Sequence, residues 1–118
     1  MTAREVFAGA ERRLFAVYGL GSESRRLSLE DPALSIGVRE SGAGDPVVFI
    51  HGSGMSGATW APVMAHLAGC RSIAIDLPGF GLRDPQSYSG RPLRAHARAQ
   101  LTSVLDALQL ERAALVGT

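Results

Sequence analysis

Four consecutive apolar residues, Val47-Val48-Phe49-Ile50, run directly into His51-Gly52-Ser53-Gly54. A strand with one face in water alternates apolar and polar residues. This one does not, so both of its faces are expected to be covered. Such strands belong to parallel sheets, which need crossover segments between successive strands, usually helices. The run therefore points to an α/β fold, and the rest of the chain is read for the strands and helices that fold requires.

Upstream, residues 25 to 50 read as β-rich. Arg26-Leu27-Ser28-Leu29 alternates polar and apolar, Glu30-Asp31-Pro32 forms a turn, and Leu34-Ser35-Ile36-Gly37-Val38 alternates again. The two segments are close enough to pair as an antiparallel hairpin. Ser41-Gly42-Ala43-Gly44-Asp45-Pro46 is a break before the apolar run. Residues 1 to 20 read as an amphipathic helix whose apolar stripe is Val6, Phe7, Ala10, Leu14, Val17 and Tyr18, with Arg4, Glu11 and Arg12 between. A signal peptide fits poorly there, because Glu5 and Glu11 precede a short apolar stretch and no A-x-A site follows. Residues 1–23 are taken as a helical segment and 24–118 as the domain proper.

Downstream, the strand–helix theme repeats. Thr59 to Leu67 is expected to be a short helix with Thr59 as N-cap. Arg71 to Ile75 is a strand ending at Asp76. A loop rich in glycine and proline runs from Leu77 to about Pro92. Leu93 to Leu108 is a helix with the stripe Leu93, Ala97, Leu101, Val104, Leu105 and Leu108, and Ala113 to Val116 is a last strand. The pattern is a β hairpin followed by β-α-β-α-β.

Gly52-Ser53-Gly54-Met55-Ser56-Gly57 also satisfies G-x-G-x-x-G, and Asp76 stands at the tip of the next strand. One reading is a dinucleotide site of an oxidoreductase, with the acid on the ribose hydroxyls. Pro62 weighs against it. A helix opening inside the glycines would carry Pro62 in its third turn, at a cost of ~3 kcal/mol. A helix opening near Thr59 carries it in the first turn, where its missing N–H is harmless. The other reading takes the glycines as a loop whose bare amides, those of Ser53 and Gly54, point at a substrate oxygen where negative charge develops.

Composition narrows the classes. Apolar residues make up 46% and charged residues 19%, as in a globular chain. Twelve basic residues, all Arg, against eleven acids leave a net charge of +1, which favours neither nucleic acid nor an anionic membrane as partner. No apolar run is long enough for a transmembrane helix. Cys70 is the only cysteine, so no intrachain disulfide forms; it is expected to be a small buried hydrophobe in a cytoplasmic protein. His51, His66 and His96 are too scattered for a metal site, and His66 and His96 are read as structural or solvated. Trp60 is read as a core or pocket-wall aromatic.

Taken in order, Val47 to Gly54, Trp60 and Pro62, Ile73-Ala74-Ile75-Asp76-Leu77-Pro78-Gly79-Phe80-Gly81, Leu105-Asp106-Ala107-Leu108 and Ala114-Leu115-Val116-Gly117 resemble the N-terminal part of an α/β-hydrolase-fold enzyme over about residues 25 to 118. His51-Gly52-Ser53-Gly54 is also similar to the segment of hydrolases that cleave carbon–carbon bonds in aromatic ring-fission products. The resemblance implies a partial sheet, an antiparallel hairpin followed by parallel strands with crossover helices. It implies one half of an oxyanion hole at Ser53 and Gly54. His51, Gly52, Asp76, Gly79, Gly81 and Gly117 would then shape the motif, with His51 not the catalytic base and Asp76 structural. Arg83 departs from the small residue common at its position.

Leu115-Val116-Gly117-Thr118 matches the strand and the opening of the G-x-S-x-G nucleophile elbow. The nucleophile is expected directly after Thr118, with the acid and the catalytic His later still. The expectation is a hydrolase of an ester-like or related bond in a small-molecule substrate, without a cofactor, and a 118-residue chain inactive alone. Three alternatives remain open at this point: the dinucleotide domain, a non-catalytic binding protein on the hydrolase fold, and an Asp rather than a Ser nucleophile.

Overall fold

The computed structural model describes residues 1–21, 24–30, 33–52, 55–67, 69–76 and 92–117. Ser53, Gly54, Gly79, Gly81 and Arg83, most of the predicted loop from Leu77 to Pro92, and Thr118 lie outside the described residues.

Helix α1 (Ala3–Val17) is followed by strands β1 (Arg25–Glu30), β2 (Ala33–Ser41) and β3 (Asp45–Ile50). A 3₁₀ turn (Gly57–Trp60) leads into α2 (Ala61–Met64), then β4 (Cys70–Asp76), α3 (Leu93–Ala107) and β5 (Ala114–Gly117). The strands form one five-stranded sheet in the order β1-β2-β4-β3-β5. β1 and β2 pair antiparallel as the alternation predicts, β2 joins β4 antiparallel, and β3 runs parallel to both β4 and β5.

The unbroken apolar run does what its pattern requires. Val48 packs into one core with Ile73 and Ile75 of β4, Ile36 and Val38 of β2, Leu27 and Leu29 of β1, and Val104 and Leu108 of α3. Phe49 faces the opposite side, with Ala74, Trp60, Ala61, Met64 and Phe15 of α1. Helix α3 therefore covers one face, and α1 and α2 the other. Trp60 is a core residue, its ring 5.2 Å from that of Phe49. The turn between β2 and β3 needs its glycines. Gly42 and Gly44 have φ of +82° and +126°, and a Cβ on either would collide with the backbone carbonyl of Cys70 or Gly69.

Three local expectations are corrected. Thr59 is not the N-cap: the chain enters the 3₁₀ turn earlier, with the Ser56 hydroxyl accepting from the Ala58 amide, because the next amide, that of Gly57, is already held by Asp76. Pro62 does fall in the first turn of α2.

The predicted stripe of α1 does not face the sheet. Val6, Phe7, Leu14 and Val17 are exposed, and Glu11 and Phe15 are buried instead. The underlying sheet presents the Arg39 guanidinium there, stacked 4.7 Å over the Phe15 ring, so the helix docks a carboxylate and an aromatic ring rather than its most apolar face. The helix itself starts on a capping box between Thr2 and Glu5.

In α3 the buried line is His96, Gln100, Val104 and Leu108, at a spacing of four, whereas Ala97 is exposed. His96 is thus a buried structural residue rather than a solvated one.

Candidate functional site at the carboxyl ends of β3 and β5

The connections leave β3 in opposite directions. The chain goes from β3 to β4 on one side, then crosses to β5 on the other. In open α/β sheets the crevice outside the carboxyl ends of strands at such a switch point is where ligands bind. The register brings the relevant residues together there, because Ile50 is the ladder partner of Gly117. The glycine-containing loop after β3 and the last residues of the chain therefore leave the sheet side by side.

His51, the first residue beyond β3, is 3% exposed. Its Nδ1 lies 2.8 Å from the Gly52 carbonyl oxygen, which can only accept, so Nδ1 carries the proton and donates. That nitrogen is engaged with the backbone of the loop. The same carbonyl accepts from the Met55 amide at 3.1 Å.

The far side of the loop is clamped by two carboxylates. Asp76, at the tip of β4, accepts from the Gly57 amide at 2.6 Å. A Cβ on Gly57 would stand 3.1 Å from both Asp76 Oδ1 and the Ile75 carbonyl oxygen, so any larger residue would crowd both. The expected structural role of Asp76 thus has a concrete form. Gly117 is different, since a Cβ there would meet Ile50 only at ordinary contact distance.

The second carboxylate is Glu11 of α1. It accepts from the Ser56 hydroxyl at 3.2 Å and stands 3.6 Å from the Arg39 guanidinium of β2, with Glu11 and Arg39 both almost fully buried. Burial pushes the Glu11 carboxyl above the usual carboxylate range, the charge of Asp76 adds to that, and Arg39 and Ser56 only partly oppose it. The sequence alone gives Glu11 no such role. Its partners lie across the fold, Ser56 being 45 positions away, and no local pattern distinguishes a buried acid on α1 from a solvated one.

Among the described residues no group of three or more His, Cys, Asp and Glu side chains could hold a metal ion, and no helix is long and apolar enough to cross a membrane. A separate groove of about 810 Å³ opens between β1 and α3, lined by Ser28, Glu30, Arg94, Arg98, Thr102 and Asp106 among others. It shares no residue with the β3–β5 tip. The dinucleotide alternative loses its structural basis. Among the described residues the first α-helical one after β3 is Ala61, well past Gly52.

Known proteins agree with this geometry. The profile of the alpha/beta hydrolase family matches residues 47–118. The chain is 43% identical over 89 residues to a 2-hydroxymuconate semialdehyde hydrolase from Pseudomonas sp. strain CF600, an alignment spanning 68% of this chain and 29% of that protein. It is 36% identical over 86 residues to an epoxide hydrolase from Caballeronia sordidicola, across 71% of this chain and 26% of that one. Among solved structures, the haloalkane dehalogenase DatA from Agrobacterium tumefaciens C58 superposes with a TM-score of 0.66 at 30% identity, over 83% of this chain and 33% of that one. The chain thus spans about a third or less of the length of these relatives. With the sheet, the loop after β3 and these matches in agreement, the chain belongs to the alpha/beta hydrolase family.

Proposed function

We propose that this chain builds the oxyanion-binding half of a hydrolase active site. The amides of Ser53 and Gly54 would receive the negative charge that develops on a carbonyl oxygen under attack. The nucleophile would be a serine directly following Thr118 in a longer polypeptide, assisted by a histidine and an acid further on. The substrate would be a small molecule with an ester-like or related bond. No cofactor is required by this chemistry.

One observation carries the reading. The β3 loop and the end of β5 leave the sheet as neighbours, Ile50 beside Gly117. A nucleophile just after β5 and donors just after β3 would then flank one reacting carbon. The loop supports it too, because the Met55 amide holds the Gly52 carbonyl and the Gly57 amide is held by Asp76, so both flanks of Ser53 and Gly54 are fixed.

The test is substitution of the loop in a polypeptide that extends past Thr118. Ser53→Pro deletes one N–H and is expected to lower kcat by about 10²–10³ with little change in KM. Ser53→Ala keeps the N–H and loses only the hydroxyl, so it should leave kcat nearly unchanged. Equal losses in both variants would assign the role to the hydroxyl and remove the amide mechanism.

A further inference from the structure

Helix α1 lies at the opposite end of the sequence from β5, yet it contributes a buried carboxylate to the support of the β3 loop. We propose that Glu11 is a positioning residue, a proton-dependent brace that couples the docking of α1 to the conformation of the loop ending at Gly57.

The geometry is a short chain of contacts. The Ser56 hydroxyl donates to Glu11 Oε2 at 3.2 Å and accepts from the Ala58 amide at 3.3 Å. The adjoining Gly57 amide donates to Asp76. Two successive residues at the end of the loop, Ser56 and Gly57, are therefore held by carboxylates from two different elements, α1 and β4, and the third, Ala58, is held through the Ser56 hydroxyl. The Glu11 carboxyl is only 4% exposed, and its Oε1 has no hydrogen-bond partner among the described residues. Arg39 offers that oxygen an ion pair at 3.6 Å, longer than a hydrogen bond.

A buried carboxylate with one bonded oxygen and one unbonded oxygen is poised to take a proton. The charged groups that face it among the described residues are Arg39 of β2 and Asp76 of β4; Ser56 faces it with a neutral hydroxyl. One cation thus stands among two acids. With Glu11 ionised, the Ser56 hydroxyl must donate to it. With Glu11 protonated, the carboxyl itself becomes a donor, and the hydroxyl is released to turn elsewhere. Either change reaches the Ala58 and Gly57 amides within one contact. Burial raises the Glu11 carboxyl above its ordinary value of 4.5, and so raises the pH at which this exchange occurs.

The bearing of this brace on catalysis rests on the hydrolase reading above, but the coupling does not, and it can be measured without turnover. The experiment follows the amide resonances of Ser56, Gly57 and Ala58 of the 118-residue chain by ¹⁵N NMR from about pH 4 to about pH 8. All three are expected to titrate with one common midpoint above the ordinary value of 4.5. Glu11→Gln should abolish that midpoint while leaving the resonances of the β1–β2 hairpin in place. Ser56→Ala is the second variant, needed if Glu11→Gln disturbs the fold by leaving Arg39 without its acid. It keeps Glu11 and Arg39 but cuts the link, so the midpoint should vanish from Gly57 and Ala58, and amide exchange across Gly52 to Met55 should accelerate several-fold. No common midpoint in the unmodified chain, or one that survives both substitutions, overturns the proposal. Failure of the catalytic reading with the titration intact would leave the brace standing.

Discussion

Ile50 and Gly117 are direct partners in the parallel ladder between β3 and β5. The segments that follow them therefore start side by side, although 67 positions separate the two residues in the chain. That adjacency follows from strand order: β3 is flanked by β4, which follows it in the chain, and by β5, reached only after the crossover through α3. A pair of loops at a switch point can hold a reacting group from two sides, which neither loop can do alone.

The Gly57–Asp76 contact holds one end of the first of those loops. Asp76→Ala removes a charge-assisted hydrogen bond and should cost about 1.5–3 kcal/mol. Gly57→Ala pushes a methyl group against the Asp76 carboxylate and the Ile75 carbonyl, for about 1–3 kcal/mol. Both break one contact, so the double variant should lose less than the sum. Urea unfolding of the three variants checks this, and a neutral Gly57→Ala would show that the close approach relaxes freely.

Glu40 and Glu11 predict opposite pH trends. Burial raises the Glu40 carboxyl, but hydrogen bonds from Arg71, at 2.6 Å, and Arg25 more than offset it and hold the group below its ordinary value of 4.5. The unfolded chain then binds the Glu40 proton more tightly than the folded one. The stabilisation from Glu40 is complete above about 4.5 and is lost as pH falls through the lower folded value. Glu11 is raised, so its contribution is present below 4.5 and is lost as pH rises through the higher folded value. Urea midpoints between about pH 3 and about pH 7 should therefore separate Glu40→Gln from the unmodified chain at the upper end and converge at the lower end.

Among the described strands β5 lies at an edge of the sheet, and Leu115 on it is 48% exposed. An apolar edge offers unpaired backbone groups to another molecule. The isolated chain is expected to self-associate as concentration rises, and Leu115→Lys to shift it toward monomer, as read by size-exclusion chromatography with light scattering. A sharply two-state, monodisperse monomer for the unmodified chain would contradict this.

How far the sequence reached depends on which physical signal each feature leaves. β3 was legible because burial on both faces abolishes alternation, and the hairpin because burial on one face imposes it. Pro62 was decisive for the helix start, since its geometry excludes alternatives. The rotation of α1 and α3 was not legible. Both helices turn a polar residue inward, Glu11 in one and His96 with Gln100 in the other; for Glu11 the partners, Ser56 and Arg39, are distant in sequence. A hydrophobic stripe reports the cost of burying polar groups only when no such partner exists. The motifs marked the loop after β3 in advance, but the contact between Glu11 of α1 and Ser56 left no local trace. Ser53 and Gly54 fall outside the described residues, and the oxyanion role proposed for them is argued from sequence.

The central claim is that β5 delivers a serine nucleophile to donors on the β3 loop. A fluorophosphonate probe, applied to a polypeptide extending past Thr118 and located by peptide mass spectrometry, tests it most directly. The account predicts a covalent adduct on the residue immediately after Thr118, and neither adduct nor p-nitrophenyl acetate turnover above a denatured control in the 118-residue chain. An adduct at any other position, none at all, or turnover by the short chain would contradict it.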